Sequence, residues 1–135
     1  MYSKYLFTLP MQVRDYECDI EGIVNNANYL HYMEHTRHQF ILQKGISFAQ
    51  LHQKGIDMVV ARITIAYKTP LCSEDRFVSC LNFRAEGIRY VFEQDIYRES
   101  DNKLVAKAQV DVVSIVNGRL GHCPELLEKL KSEMP

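Results

Sequence analysis

The sequence predicts an α+β domain in which one long helix packs against one antiparallel sheet. Three observations predict it. From Ala27 to Lys44 apolar residues recur at helical spacing. From Val59 to Val116 the spacing drops to two, the period of half-buried strands. Short turn signals separate those strands, so consecutive strands pair as hairpins, and a helix segregated to one face of an antiparallel sheet is α+β.

Taken in order, residues 11–17 read as a short strand, with Met11, Val13 and Asp15 on one side and Gln12, Arg14 and Tyr16 on the other. The helix 27–44 carries Tyr29, Leu30, Met33, Phe40 and Ile41 on one face, with Thr36 and Arg37 between them, and Gly45 follows as its stop. Residues 47–54 read as a second, short helix capped by Ser47 and ended by Gly55. In the next strand Val59, Ala61, Ile63, Ile65 and Tyr67 alternate with Val60, Arg62, Thr64, Ala66 and Lys68, until Thr69-Pro70 ends the run. Strands follow at 76–85, broken by Glu86-Gly87, and at 89–97, closed by the turn Ser100-Asp101-Asn102. Residues 104–116 form the longest apolar run, with Ala106, Ala108, Val110 and Val112 on one face. Asn117-Gly118 is a turn, and Pro124-Glu125 opens a terminal helix.

The chain of 135 residues is expected to form one domain over 1–135. Its 16 basic and 17 acidic residues leave a formal net charge of −1, so no nucleic-acid or membrane partner is expected. No apolar run approaches the roughly 20 residues that cross a bilayer. Residues 1–10 lack the pattern of a secretory signal, so the expected location is the cytoplasm. Cys18, Cys72, Cys80 and Cys123 form no CxxC pair and are expected as free thiols.

Chemistry concentrates in the stretch from Cys18 to Tyr29, which launches the long helix. A helix N-terminus presents unpaired N–H groups and favours negative charge. A carboxylate beside such donors is half of a hydrolytic site. Asp19 is the candidate carboxylate, serving otherwise only to shape the loop. Glu21 is a helper or a solvated loop acid, and Gly22 permits a tight backbone path. Asn25 and Asn26 stand where a cap belongs, with amides able to face a ligand. His31, His35 and His38 share one helical face beside Glu34, a spacing that can hold a metal, but a face beside the apolar stripe is read as one at solvent or a subunit contact, and no metal is expected. Cys18 has no histidine partner in evidence, and GxSxG, GxGxxG and P-loop motifs are absent.

Element order and this opening stretch together resemble the hotdog-fold thioesterases, especially the 4-hydroxybenzoyl-CoA thioesterase branch. Cys18-Asp19, Gly22-Ile23-Val24 and Asn28-Tyr29 fall at the offsets of that branch. Val24-Asn25-Asn26-Ala27-Asn28-Tyr29 also resembles the HVNN motif of plant acyl-carrier-protein thioesterases. Where HVNN has histidine this chain has Ile23, and Glu21 stands where asparagine is expected, so the resemblance carries an aspartate-centred mechanism.

The resemblance implies a hotdog fold, a curved antiparallel β-sheet wrapped around one long central α-helix. It implies an acyl-CoA thioesterase with Asp19 as nucleophile or general base and the helix amides, Asn26 foremost, as oxyanion donors. Gly22, Val24, Asn25 and Arg89 are implied as substrate-binding, Arg89 toward the coenzyme A phosphates, for which Arg84 and Arg119 are further candidates. No cofactor is implied, and the expected assembly is a homodimer or homotetramer with sites between subunits. The alternatives are acyl-carrier-protein thioester hydrolysis, or a non-catalytic acyl-binding module of the same fold.

Overall fold

A computed structural model describes residues 2–131; the expected domain runs over 1–135, and its outermost residues, Met1 and 132–135, lie outside the described ones. Strand β1 is Phe7–Gln12 and a short 3-10 turn spans Asp15–Glu17. Helix α1 is Asn26–Gln43, followed by α2, Phe48–Gln53. Then come β2 (Ile56–Tyr67), β3 (Arg76–Glu86), β4 (Arg89–Arg98), β5 (Leu104–Val116), β6 (Arg119–Gly121) and α3 (Pro124–Lys131). The strands form one antiparallel sheet in the order β1-β3-β4-β5-β2, with β6 added on β5.

The α+β class, the single long helix and the antiparallel sheet are as the sequence predicts. Two strand expectations are corrected, and a further short strand is added. The first strand lies earlier than residues 11–17: Pro10 sits within it, tolerated because β1 is an edge strand and a missing N–H costs no ladder bond on its open side. Val13 then turns into the core at 2% exposure, and residues 15–17 coil. In β2 a register shift between Val60 and Arg62 inserts Ala61, so Val60, not Val59 and Ala61, shares the side of Ile63, Ile65 and Tyr67. The terminal turn at Asn117-Gly118 also returns as a strand, β6, which pairs Leu120 with Ile115.

The buried face of α1 is Tyr29, Tyr32, Met33, Thr36, Arg37, Phe40 and Ile41. This is a stripe at i, i+3, i+4 spacing; Tyr32 takes the place expected of Leu30, which stays half-buried. The stripe accepts polar groups because each meets a partner in the sheet. Thr36 Oγ1 lies 2.7 Å from Ser79 Oγ, and Arg37 donates to Gln94 Oε1 at 2.9 Å. Around them Phe77, Phe92, Leu81 and Ile96 are fully buried, with Tyr32 and Phe77 ring centroids 4.7 Å apart. The two edge strands differ. β2 leaves Val59, Val60, Ile63 and Tyr67 38–45% exposed along its open side. All four cysteines are free.

Candidate active site

The chain between β1 and α1 folds back on itself in a narrow hairpin. Asp19 N–H donates to Ile23 O at 2.9 Å and Gly22 N–H to Asp19 O at 3.0 Å, with Cys18 bridged to Val24. Gly22 has φ +80°, a left-handed conformation that a side chain would strain. The hairpin is pinned on two sides. Val24 N–H donates to Leu71 O at 2.8 Å, and Ile23 bridges to Cys72. Leu71 N–H donates in turn to the Tyr29 hydroxyl of α1 at 3.1 Å.

Within this frame the Asp19 carboxylate accepts one hydrogen bond. Its Oδ1 takes the Glu21 N–H at 3.0 Å, and no donor among the described residues reaches Oδ2. Glu21 is exposed and contributes its backbone, not its acid. Val24 is buried at 2% exposure, so it anchors the hairpin from below.

Helix α1 begins one residue before the predicted Ala27 and its donors are unequally used. Asn25 is the N-cap: its Oδ1 accepts from Ala27 N–H at 2.9 Å and its carbonyl from Asn28 N–H at 2.9 Å. The N–H of Asn26, the first helical residue, meets no acceptor among the described residues. An open N–H at the positive end of an 18-residue helix is suited to an oxyanion. Removing the cap as Asn25→Ala is expected to lower stability by about 1 kcal/mol, read by chemical denaturation.

The hairpin brings Asp19, Gly22 and Val24 together and leads directly into Asn25 and Asn26 at the helix start. It does not bring Arg89 to them. Arg89 opens β4, where its Nη1 lies 3.0 Å from Asp111 Oδ2 and its Nη2 2.8 Å from Glu86 Oε1. The end of the sheet nearest the helix start is marked by Tyr67, whose hydroxyl reaches Asn26 O at 3.4 Å and which stands in one row with Ala106 and Ile96. From Ile96 back to Arg89 is about 23 Å along the strand at roughly 3.3 Å per residue. Arg89 there lines a concavity of about 480 Å³ on the outer face of the sheet with Arg62, Lys68 and Lys107. Arg84 pairs with Glu86 and Glu93. Of the three helix histidines, His31 and His35 are exposed and His38 packs on Phe48 with ring centroids 4.9 Å apart. Among the described residues no group of three or more His, Cys, Asp or Glu side chains converges to hold a metal.

Two residues outside the predicted set hold the site in place. Glu17 accepts from Tyr32 hydroxyl at 2.9 Å and from Arg14 N–H at 2.8 Å. Its carbonyl takes the Asn25 N–H at 3.1 Å and the Asn28 Nδ2 at 2.7 Å. Burial and the Glu17 carboxylate push the Tyr32 phenol well above its ordinary range, so it remains a donor. One side chain and one carbonyl thus lock the hairpin to the first turn of α1. The visible signal is only that Glu17 adjoins the motif, since its partners lie up to 15 positions away.

Comparison with known proteins supplies the context for this geometry. The family model of the thioesterase-like superfamily matches residues 13–135. The chain is 35% identical over 112 residues to the acyl-acyl carrier protein thioesterase ATL2, chloroplastic, of Arabidopsis thaliana, covering 81% of the chain and 58% of that protein. It is 30% identical over 106 residues to the long-chain acyl-CoA thioesterase FadM of Escherichia coli, covering 78% of the chain and 80% of that protein. Among solved structures, a hypothetical protein of Aquifex aeolicus superposes with a TM-score of 0.85 at 31% identity, covering 93% of this chain and 99% of that one.

Proposed function

The chain belongs to the thioesterase-like superfamily, and from that premise we propose that it hydrolyses acyl-coenzyme A thioesters with Asp19 and the Asn26 amide as its reacting groups. It is a hotdog-fold thioesterase; the carrier, the residues and the mechanism are the proposal. One observation carries it: a half-used carboxylate sits in the pinned hairpin and an unused N–H opens the helix that follows it. The thioester carbonyl accepts from Asn26 N–H. Asp19 either attacks the carbonyl carbon, giving a mixed anhydride that water cleaves, or takes a proton from water as that water attacks. In both routes the tetrahedral oxyanion lies on the helix end, the C–S bond breaks, and the thiolate leaves to be protonated. Gly22 and Asn25 keep the backbone close to the substrate, and Val24 holds the hairpin down. No cofactor is needed for this chemistry.

The edge of β2 supports the assembly. Twelve residues present about 40 Å of open ladder with apolar side chains exposed beside it. Antiparallel pairing of two copies through β2 covers this edge and makes a homodimer, the unit from which a homotetramer is also built. It sets the Val59 end of one strand against the Tyr67 end of the other, and so brings the helix start of one copy to the groove between α1 and β2 of its partner. Active sites then lie between subunits. We assign the coenzyme A phosphates to the basic outer-face concavity that Arg89 shares with Arg62 and Lys68; these last two have no ion-pair partner among the described residues. The expected location is the cytoplasm, and no helix among the described residues is long and apolar enough to cross a membrane.

The likeness to a plant enzyme of acyl carrier protein favours one second reading, the same hydrolysis on a protein carrier. Matched acyl groups on coenzyme A and on acyl carrier protein, assayed by thiol release with wild type and Asp19→Asn, test both. Turnover of the coenzyme A series that Asp19→Asn loses is expected. Turnover of the carrier-protein series alone supports the second reading, and turnover of neither leaves a non-catalytic acyl-binding module.

A further inference from the structure

Arg37 is a buried cation with no ion-pair partner among the described residues. It is 6% exposed, in the middle of the core face of α1. A guanidinium offers five N–H donors and accepts nothing. One of them meets Gln94 Oε1 at 2.9 Å; that amide is fixed because Gln94 Nε2 donates to Met33 O at 2.9 Å. Among the described residues no carboxylate forms an ion pair with Arg37. Burial pulls its proton affinity below the usual value, partly offset by the charge of Glu34. A buried charge lacking a partner is costly to keep.

The side chain lines a cavity of about 290 Å³ between α1 and β2. Its walls are apolar, formed by Ile41, Phe48, Met58 and Phe92, and Glu34 and His38 stand at its rim. A mostly apolar cavity with a few convergent polar groups is the usual form of a small-molecule site, and here Arg37 is the buried one while Glu34 and His38 are exposed. The chamber does not need a cation to hold a plain hydrocarbon chain, which would leave the remaining donors unanswered.

We propose that this cavity takes the acyl group of the substrate, and that Arg37 selects acyl groups carrying a second carbonyl or carboxylate oxygen on their distal part. The proposal rests on the thioesterase reading above, and its test separates the two. Octanoyl-, 7-oxooctanoyl- and suberyl-coenzyme A have one chain length and differ only at the distal end, which is plain hydrocarbon, a carbonyl at the seventh carbon or a carboxylate at the eighth. Wild type is expected to favour one or both oxygenated substrates over octanoyl by at least about tenfold in kcat/KM. Arg37→Met, which keeps the volume and removes the donors, is expected to bring the ratio to about one. Arg37→Lys, which keeps charge without the planar fork, retains part of it. The suberyl arm identifies a carboxylate and the oxo arm a neutral carbonyl.

The second measurement needs no turnover: calorimetric binding of octanoic, 7-oxooctanoic and suberic acids to Asp19→Asn, with and without Arg37→Met. Tighter binding of an oxygenated acid that Arg37→Met abolishes supports the assignment even where no thioester is cleaved. Equal binding of the three acids, or an unchanged preference in Arg37→Met, overturns it. An equal fall for all substrates together with a lowered melting temperature also overturns it, since that is the result of an Arg37 that only ties α1 to Gln94 of β4.

Discussion

The Asp19→Asn protein is expected to fold like wild type and to hydrolyse acyl-coenzyme A about a thousandfold more slowly. The two halves of that result have separate causes. Asparagine keeps the Oδ1 acceptor that Glu21 N–H uses, so the hairpin retains its hydrogen bonds, and the half-exposed side chain leaves no cavity. It removes the negative charge, and with it both the nucleophile and the base. General-base catalysis alone is worth roughly 10²–10⁴-fold, and a thousandfold loss is about 4 kcal/mol of barrier. Steady-state thiol release gives the rate, and a thermal melt of the same sample gives the fold. A variant of unchanged melting temperature and unchanged kcat removes Asp19 from the chemistry.

The largest stability effect is expected at Phe77, far from any reacting group in role though central to the core. Its side chain is fully buried in β3 and meets the Tyr32 ring 4.7 Å away, where α1 crosses the sheet. Phe77→Ala loses the burial of a whole ring and leaves a void between two rigid elements, about 3–5 kcal/mol. For a chain of this size that is a fall in melting temperature of roughly 10–20 °C. The variant also loosens Tyr32, whose hydroxyl holds Glu17 and thereby the hairpin. Activity at temperatures well below the melt is therefore expected to fall as well, by less than in Asp19→Asn.

What was legible in the sequence follows from how local the cause is. The start of α1 is set by Asn25, a cap acting on Ala27 two residues away, and the hairpin by Asp19 and Gly22, whose bonds span three and four residues. Those features stand in the sequence as spacing, and the resemblance carried by the same dozen residues led to the fold and to thioester hydrolysis. Glu17, Arg37 and Gln94 reach partners as far as 15, 57 and 61 positions away, and a lone acid, arginine or glutamine carries no mark of such partners. Arg37 was legible only as an interruption of the apolar stripe. Ala61 shifted the faces of β2 because a bulge changes parity without changing composition. Strand β1 starts earlier than the sequence predicts and includes Pro10, whose tolerance there depends on β1 being an edge, which is a property of the whole sheet.

The most direct test of the central claim is a crystal structure of Asp19→Asn with a non-hydrolysable acyl-coenzyme A analogue whose thioester sulfur is replaced. The account predicts the acyl carbonyl oxygen about 2.7–3.1 Å from Asn26 N and the carbonyl carbon about 3–3.5 Å from the residue-19 side chain, directly or through one water. A carbonyl bound away from the helix start, with residue 19 out of reach of it, contradicts the account.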